Sequence, residues 1–166
     1  MSAQRTARVS IGDGASSNVA TGVAVLDHLL SELAQTGGFE LQLEIAPGAP
    51  EAEVGAAGTA LGEAFAPLLS AKGAVGRGLG VVSADEALAM VVLETSGKPL
   101  VASNADLTAT QAGGLQTDLA AVFFESLAQA AGLTIHVRLI EGEDSQHVLS
   151  AIFKALGAAL AEACGA

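Results

Sequence analysis

The feature that most constrains the fold of this 166-residue chain is an internal repeat. The stretch LLSELAQTGGFELQLEI at residues 29–45 returns 94 residues later as FFESLAQAAGLTIHVRL at residues 123–139. A second pair, GTALGEAF at residues 58–65 and FKALGAAL at residues 153–160, follows in the same order with an offset of 95 residues. Two matches in one order predict that the chain is a duplicated half-domain.

The two halves share one predicted order of elements, in which a helix, a strand and a second helix follow one another. Leucines at helical spacing predict the first helix, glycines follow its end, and alternating apolar and polar residues predict the strand. The predicted helices cover about 22–36, 52–70, 117–131 and 146–163, and the predicted strands cover 39–45 and 133–139. Further strands are predicted in GLGVVS, EALAMVVLET and KPLVASNADL.

These elements predict an α+β fold, with two sheets or one split sheet and with helices packed on one face. The repeat places the first half-domain at residues 1–95 and the second at residues 96–166. Because each half is short, we expect the two to share a core and to form one integrated domain.

Charge and composition narrow the classes of partner. Seven Lys and Arg residues stand against 18 Asp and Glu residues, which gives a net charge of −11. Nucleic-acid binding depends on clustered cations and on aromatic stacking, whereas this chain has five Phe and neither Trp nor Tyr. The same negative charge disfavours anionic membranes. We therefore expect no nucleic acid and no membrane as partner.

The distribution of apolar residues and the cysteine content predict a cytoplasmic protein. The sequence contains no uninterrupted apolar run of the roughly 18–20 residues that cross a bilayer, and its first residues, MSAQRTARVSIGDG, lack a signal-peptide core. The single cysteine, Cys164, excludes an intrachain disulfide framework and fits a reducing compartment.

Four short motifs carry a resemblance to one enzyme family. Leu-Asp-His-x-Leu begins at Leu26, Asp-Glu-Ala at Asp85, Ser-Gly-Lys-Pro at Ser96 and Phe-Lys-Ala-Leu at Phe153. In this order, and over about residues 20–163, the sequence resembles imidazoleglycerol-phosphate dehydratase, the manganese enzyme of histidine biosynthesis. The resemblance implies a duplicated α+β fold of the ribosomal protein S5 domain 2-like type, which agrees with the repeat.

The resemblance also implies a set of manganese ligands, most of which this sequence lacks. In the family, two manganese ions are held by the histidine of Leu-Asp-His, a histidine before Phe-Phe and one His-His-x-x-Glu motif in each half. The sequence keeps His28 and His147 at these positions, and Glu51 falls on a third. The remaining positions carry Ala52, Gly55, Val122, Gln146 and Ser150. Because metal affinity falls steeply as ligands are lost, we expect no metal and no cofactor, with vestigial ligands at His28, His147 and Glu51.

Two further pairs of residues are weaker candidates. Asp85 and Glu86 could serve as acid and base, although acids in a loop are more often only solvated. By the resemblance, Lys154 lies where the family uses a lysine near the substrate phosphate, and Lys98 is a second candidate for binding a small phosphorylated ligand. Lys154 could equally be a surface cation whose aliphatic stem covers apolar residues.

Three classes of function remain open. In the leading one, the chain keeps the dehydratase fold without manganese or catalysis and serves in binding, regulation or assembly. In the second, it is a divergent lyase that acts on an imidazole phosphate or another small phosphorylated substrate, with Asp85, Glu86 or His147 in acid–base roles. In the third, it is a genuine dehydratase with an unrecognised metal set.

The resemblance and the charge together predict the assembly. Trimers of the family pack into a large cage, with metal sites between subunits. Because those ligands are missing and each chain carries a charge of −11, we expect a homo-oligomer, most simply a trimer, rather than the larger cage.

Overall fold

The computed structural model describes the backbone of residues 5–11, 17–105, 111–112 and 115–165, and the side chains of residues 17–105 and 119–165. Within these ranges the helices are α1 (Ala24–Gly37), α2 (Pro50–Leu69), α3 (Thr117–Ala131) and α4 (Ser145–Cys164). The strands are β1 (Arg5–Ile11), β2 (Asn18–Ala20), β3 (Phe39–Ile45), β4 (Arg77–Ala84), β5 (Ala87–Glu94), β6 (Leu100–Ser103), β7 (Gln111–Ala112), β8 (Leu115–Gln116) and β9 (Thr134–Glu141).

The two larger sheets repeat one arrangement. In the three-stranded sheet, β3 lies between antiparallel β1 and parallel β2. In the four-stranded sheet, β9 lies between antiparallel β5 and parallel β6, and β4 is added beyond β5. The order α1–β3–α2 also returns as α3–β9–α4. The duplication that the sequence repeat predicted is thus confirmed in the topology.

The four-stranded sheet takes strands from both sides of the predicted division between residues 95 and 96. Strands β4 and β5 precede that position, whereas β6 and β9 follow it, and β5 pairs directly with β9. One hydrogen-bonded sheet therefore contains strands from both predicted half-domains. The boundary between the half-domains at residues 95 and 96 remains a prediction from the sequence repeat.

The helices form a layer between the two sheets. Helix α2 packs on β1 and β3, α4 packs on β4 and β5, and the pairs α1–α4 and α2–α3 pack against each other. Each sheet is consequently covered on one face, as the α+β pattern predicted. The core in this layer includes the ring contacts Phe39–Phe65 and Phe123–Phe153.

The repeated Ala-Leu-Gly motif lies where helices from different halves cross. A Cβ atom on Gly62 of α2 would lie 2.9 Å from the carbonyl oxygen of Leu127 in α3, and one on Gly157 of α4 would collide with the carbonyl oxygen of Leu33 in α1. Leu33 and Leu127 are themselves equivalent in the repeat. Each half thus packs its second helix on the first helix of the other half through the same glycine contact.

Helix α4 has the length and composition of a membrane span, the one such helix among the residues described. However, 61% of its most apolar window is buried inside the fold. Its apolar face is covered by α1, β4 and β5, and the core helix of a soluble protein passes the same test of length and composition.

Candidate functional site

A cavity of about 480 Å³ opens where the first half of α4 faces α1 beside the β4–β5 turn. Apolar side chains of both helices form part of its wall. Its polar lining includes His28, Glu32, Asp85, Gln146, His147, Ser150 and Lys154. Except for Glu32, all of these positions were already singled out by the sequence.

The start of α4 is fixed by Asp144, which caps the helix. Its carboxylate Oδ1 accepts hydrogen bonds from the backbone N–H groups of Gln146 at 2.9 Å and His147 at 3.2 Å. Side chains three or four residues apart share a helix face. Gln146, Ser150 and Lys154 therefore line the cavity together, as helical spacing leads one to expect.

The β4–β5 turn brings two carboxylates to the same point. Asp85 and Glu86 form a two-residue turn between the paired Ala84 and Ala87, and Asp85 has a φ of 52°. Aspartate adopts this left-handed conformation more readily than most other residues. The turn thereby presents both side chains to the first turn of α4.

His147 binds the carboxylates of this turn. Its Nδ1 lies 2.6 Å from Glu86 Oε2, and its Nε2 lies 3.4 Å from Asp85 Oδ2. Glu86 Oε1 also accepts a hydrogen bond from the backbone N–H of Asp144 at 3.1 Å. His147 and Glu86 thus tie the β4–β5 turn to the start of α4.

The hydrogen bonds of this cluster favour the charged forms of both partners. A backbone hydrogen bond, the His147 side chain and the Asp144 backbone together lower the pKa of Glu86 from 4.5 to about 2. The hydrogen bond to Glu86 is the main cause that raises the pKa of His147 above 6.5. The contact is therefore strongest when Glu86 is a carboxylate and His147 is an imidazolium.

Glu32 is a residue of this candidate site that the sequence reasoning missed. It lies one helical turn after His28 on α1, and its Oε1 is 3.4 Å from His28 Nε2. Its Oε2 accepts a hydrogen bond from Ser150 Oγ at 2.7 Å and lies 3.4 Å from Lys154 Nζ. The spacing of four residues from His28 was the available signal, because such residues share a helix face.

The structure leaves three of the predicted site residues outside the lining of this cavity within one subunit. Glu86 lies beside the cavity, in contact with His147. Glu51 is exposed in the first turn of α2, and Lys98 is exposed in the turn between β5 and β6, at the opposite end of β5 from Asp85. His28 and His147, in contrast, line the same cavity. The side chain of His28 is 73% exposed, so it is not a packing residue of the core.

The duplication creates a second, equivalent location that is apolar. The repeat offsets relate His28 to Val122 and Ser150 to Gly55. These two equivalents also meet: a Cβ on Gly55 would lie 3.7 Å from Cγ1 of Val122, an ordinary van der Waals distance. The crossing of α2 with α3 therefore brings together two positions that the resemblance relates to metal ligands, with Ser126 Oγ at the same distance from the Gly55 position.

The donor set in one subunit does not match a manganese site. Among the residues whose side chains are described, no group of three or more His, Cys, Asp and Glu is arranged to hold a metal ion. Both ring nitrogens of His147 face carboxylates, and Ser150 donates to Glu32. Within one subunit, these side chains would therefore not hold a manganese ion.

Comparisons with known proteins agree with the fold. The family model described as Imidazoleglycerol-phosphate dehydratase matches residues 21–160. The imidazoleglycerol-phosphate dehydratase of Acetivibrio thermocellus is 36% identical, over 95% of this chain and 83% of that protein. That of Aromatoleum aromaticum is 37% identical, over 93% of this chain and 82% of that protein.

Solved structures give the same result. The crystal structure of imidazoleglycerol-phosphate dehydratase from Staphylococcus aureus matches with a TM-score of 0.88 and 32% identity, covering 98% of this chain and 94% of that one. The enzyme from Pyrococcus furiosus, in complex with (S)-C348, matches with a TM-score of 0.86 and 25% identity, covering 98% and 89%.

Fold and site together define a duplicated α+β protein with a polar cavity where helices of its two halves cross. Because the family model and relatives of 36–37% identity cover most of its length, the chain belongs to the imidazoleglycerol-phosphate dehydratase family of histidine biosynthesis. The resemblance recognised from the sequence motifs is thereby confirmed.

Proposed function

We propose that this chain is a member of the dehydratase family that binds no manganese and does not dehydrate imidazoleglycerol phosphate. Its role is then in binding, regulation or assembly within the cytoplasm. The proposal concerns the activity alone, because membership of the family does not depend on it.

The contacts of the His147 side chain are the main support for this proposal. It is the one histidine at the start of α4, and its Nδ1 and Nε2 lie 2.6 Å and 3.4 Å from the carboxylates of Glu86 and Asp85. A metal-ligating imidazole needs a free lone pair on one nitrogen. The hydrogen bond to Glu86 raises the pKa of His147, so a metal ion at this imidazole would compete with a proton that Glu86 stabilises.

The same geometry weighs against the alternative of a divergent lyase that uses His147 as a base. A general base must reach a substrate proton through an unprotonated nitrogen. Here Nδ1 is hydrogen-bonded to Glu86 and Nε2 lies 3.4 Å from the carboxylate of Asp85, so a substrate would have to displace Asp85 to reach Nε2. Asp85 and Glu86 fit the role of holding the α4 start against the β4–β5 turn.

The test compares this chain with the dehydratase of Acetivibrio thermocellus, purified and incubated with manganese in the same way. We expect elemental analysis to find no stoichiometric manganese in this chain. We also expect no dehydration of imidazoleglycerol phosphate above background, and no growth without histidine when the chain replaces the dehydratase of an auxotroph. One or more bound ions per chain, or growth without histidine, would refute the proposal.

A further inference from the structure

The close crossing of α1 and α4 places the carboxylate of Glu32 beside two α4 side chains, Ser150 and Lys154, that could otherwise bind a ligand. Gly157 on α4 packs against Leu33 on α1, so the neighbouring Glu32 reaches the α4 residues one and two turns before the glycine. Its Oε2 accepts from Ser150 Oγ at 2.7 Å and lies 3.4 Å from Lys154 Nζ.

The ion pair of Glu32 with Lys154 is more buried than an ordinary surface ion pair. The side chain of Glu32 is only 16% exposed and that of Lys154 is 30% exposed. Oε1 of Glu32 is fully buried, makes no hydrogen bond within the described part of the chain, and lies 3.4 Å from His28 Nε2. The carboxylate is thus enclosed between the two helices rather than free to turn into solvent.

The two α4 groups that Glu32 contacts are typical donors for a phosphate oxygen. A lysine ammonium and a serine hydroxyl one helical turn apart can bind the same anion, because they lie on one face. In this chain, Ser150 and Lys154 both direct their donors to Oε2 of Glu32. The carboxylate oxygen therefore takes the place that an oxygen of a bound anion would need.

The rest of the lining offers a phosphate no substitute for Lys154. Lys154 is the only lysine or arginine among the described residues that line the cavity, and Asp85 adds a second carboxylate. His147 also lines the cavity, but Glu86 and Asp144 lie 2.6 Å and 3.9 Å from its Nδ1 and would balance a positive charge on its ring. A phosphate that enters must displace Glu32 or remain close to its charge.

We propose that Glu32 determines the ligand specificity of this cavity: it is a built-in counter-ion of Lys154 that also accepts a hydrogen bond from Ser150, and it excludes phosphate and phosphate esters. This inference goes beyond the proposed function and does not depend on it, because it rests on the contacts of Glu32 with Ser150 and Lys154 and is tested in metal-free buffer. It also revises the expectation that Lys154 holds a small phosphorylated ligand in the native chain.

The test is a titration with inorganic phosphate in which binding is detected through the amide chemical shifts of α4. Glu32→Gln removes the charge but keeps the size and an acceptor for Ser150. We expect no saturable binding by the wild-type chain. We expect E32Q to bind phosphate saturably, at least about tenfold more tightly than the limit that the titration sets for the wild type, because a unit charge a few ångströms away is lost. The double variant E32Q/K154M should lose this binding again.

Glu162→Gln, at the exposed far end of α4, is the matched control, because it changes the net charge equally and lies outside the cavity. It should behave as the wild type does. Saturable phosphate binding by the wild-type chain with shifts at Lys154 would overturn the proposal, and that measurement needs no variant. A folded E32Q that binds no better than E162Q would overturn it as well.

Discussion

At the scale of single residues, the contact of His147 with Glu86 has a consequence for stability as a function of pH. The folded state raises the pKa of His147 above its ordinary 6.5, mainly through the hydrogen bond to Glu86. A raised pKa means that the stabilising contribution is complete below pH 6.5 and is lost as the pH rises through the folded value. Glu86, with a pKa of about 2, keeps its own contribution above pH 4.5 and loses it only in stronger acid.

We therefore predict that His147→Gln lowers the melting temperature most between about pH 5 and about pH 6.5, and that the difference shrinks at higher pH. Thermal unfolding of wild type and variant across about pH 5 to 9 measures this. His136→Gln, on the exposed face of β9, is the control for loss of an imidazole elsewhere. A deficit of H147Q that grows toward alkaline pH would contradict the ion pair.

At the scale of elements, close helix crossings explain why the repeat keeps its Ala-Leu-Gly motif. Glycine is a poor helix former, by about 1 kcal/mol relative to alanine. It is retained at Gly62 and Gly157 because the carbonyl oxygens of Leu127 and Leu33 occupy the space of a Cβ atom. The same crossing of α1 with α4 delivers Glu32 to Ser150 and Lys154.

We predict that Gly157→Ala destabilises the fold by about 1–3 kcal/mol, because the added methyl forces α1 and α4 apart. Denaturant unfolding measures this change. Gly55→Ala is the matched control: this helical glycine of α2 has room, with the nearest atoms 3.7 Å from a Cβ, and the change should be neutral or stabilising by up to about 1 kcal/mol. Equal effects of the two variants would show that the crossing is not tightly packed.

At the scale of the whole molecule, the outer faces of the two sheets differ. On the three-stranded sheet, the side chains that alternate with the core residues of β3 are Glu40, Gln42 and Glu44. On the four-stranded sheet, the exposed residues include Leu79, Val81, Val92 and Leu100, between 37% and 54% exposed. The same face also carries the exposed charged or polar residues Arg77, Glu94, His136 and Arg138. Exposed apolar residues grouped on one face are typical of a subunit interface, whereas an acidic face is suited to solvent.

We predict that the chain forms a trimer or another small oligomer through the four-stranded sheet. Light scattering in metal-free buffer at low and high salt should give about three times the 16.3 kDa of one chain. Leu79→Glu places a charge in this face and should dissociate the oligomer. Gln129→Glu makes the same change in net charge at an exposed position of α3 and should leave the oligomer intact. A wild-type monomer, or a mass many times that of a trimer, would contradict the prediction.

The sequence by itself determined the duplication, the family, and the six helices and strands predicted in the two halves, whose ends lie within two residues of the observed ones. It could do so because helical and strand periodicity is local, and because the repeat and the motifs are read along the chain. The same reading also pointed to His28, His147 and Lys154, which line one cavity.

Only the tertiary structure decided how those residues are used. It joined β5 to β9, and it set His147 between Asp85 and Glu86. It also brought Glu32 to Ser150, a residue 118 positions away. Such contacts leave no periodic signal in the sequence, because they depend on how closely two packed helices approach. At the crossing of α1 with α4, Gly157 sets that distance and thereby brings the carboxylate of Glu32 into the site.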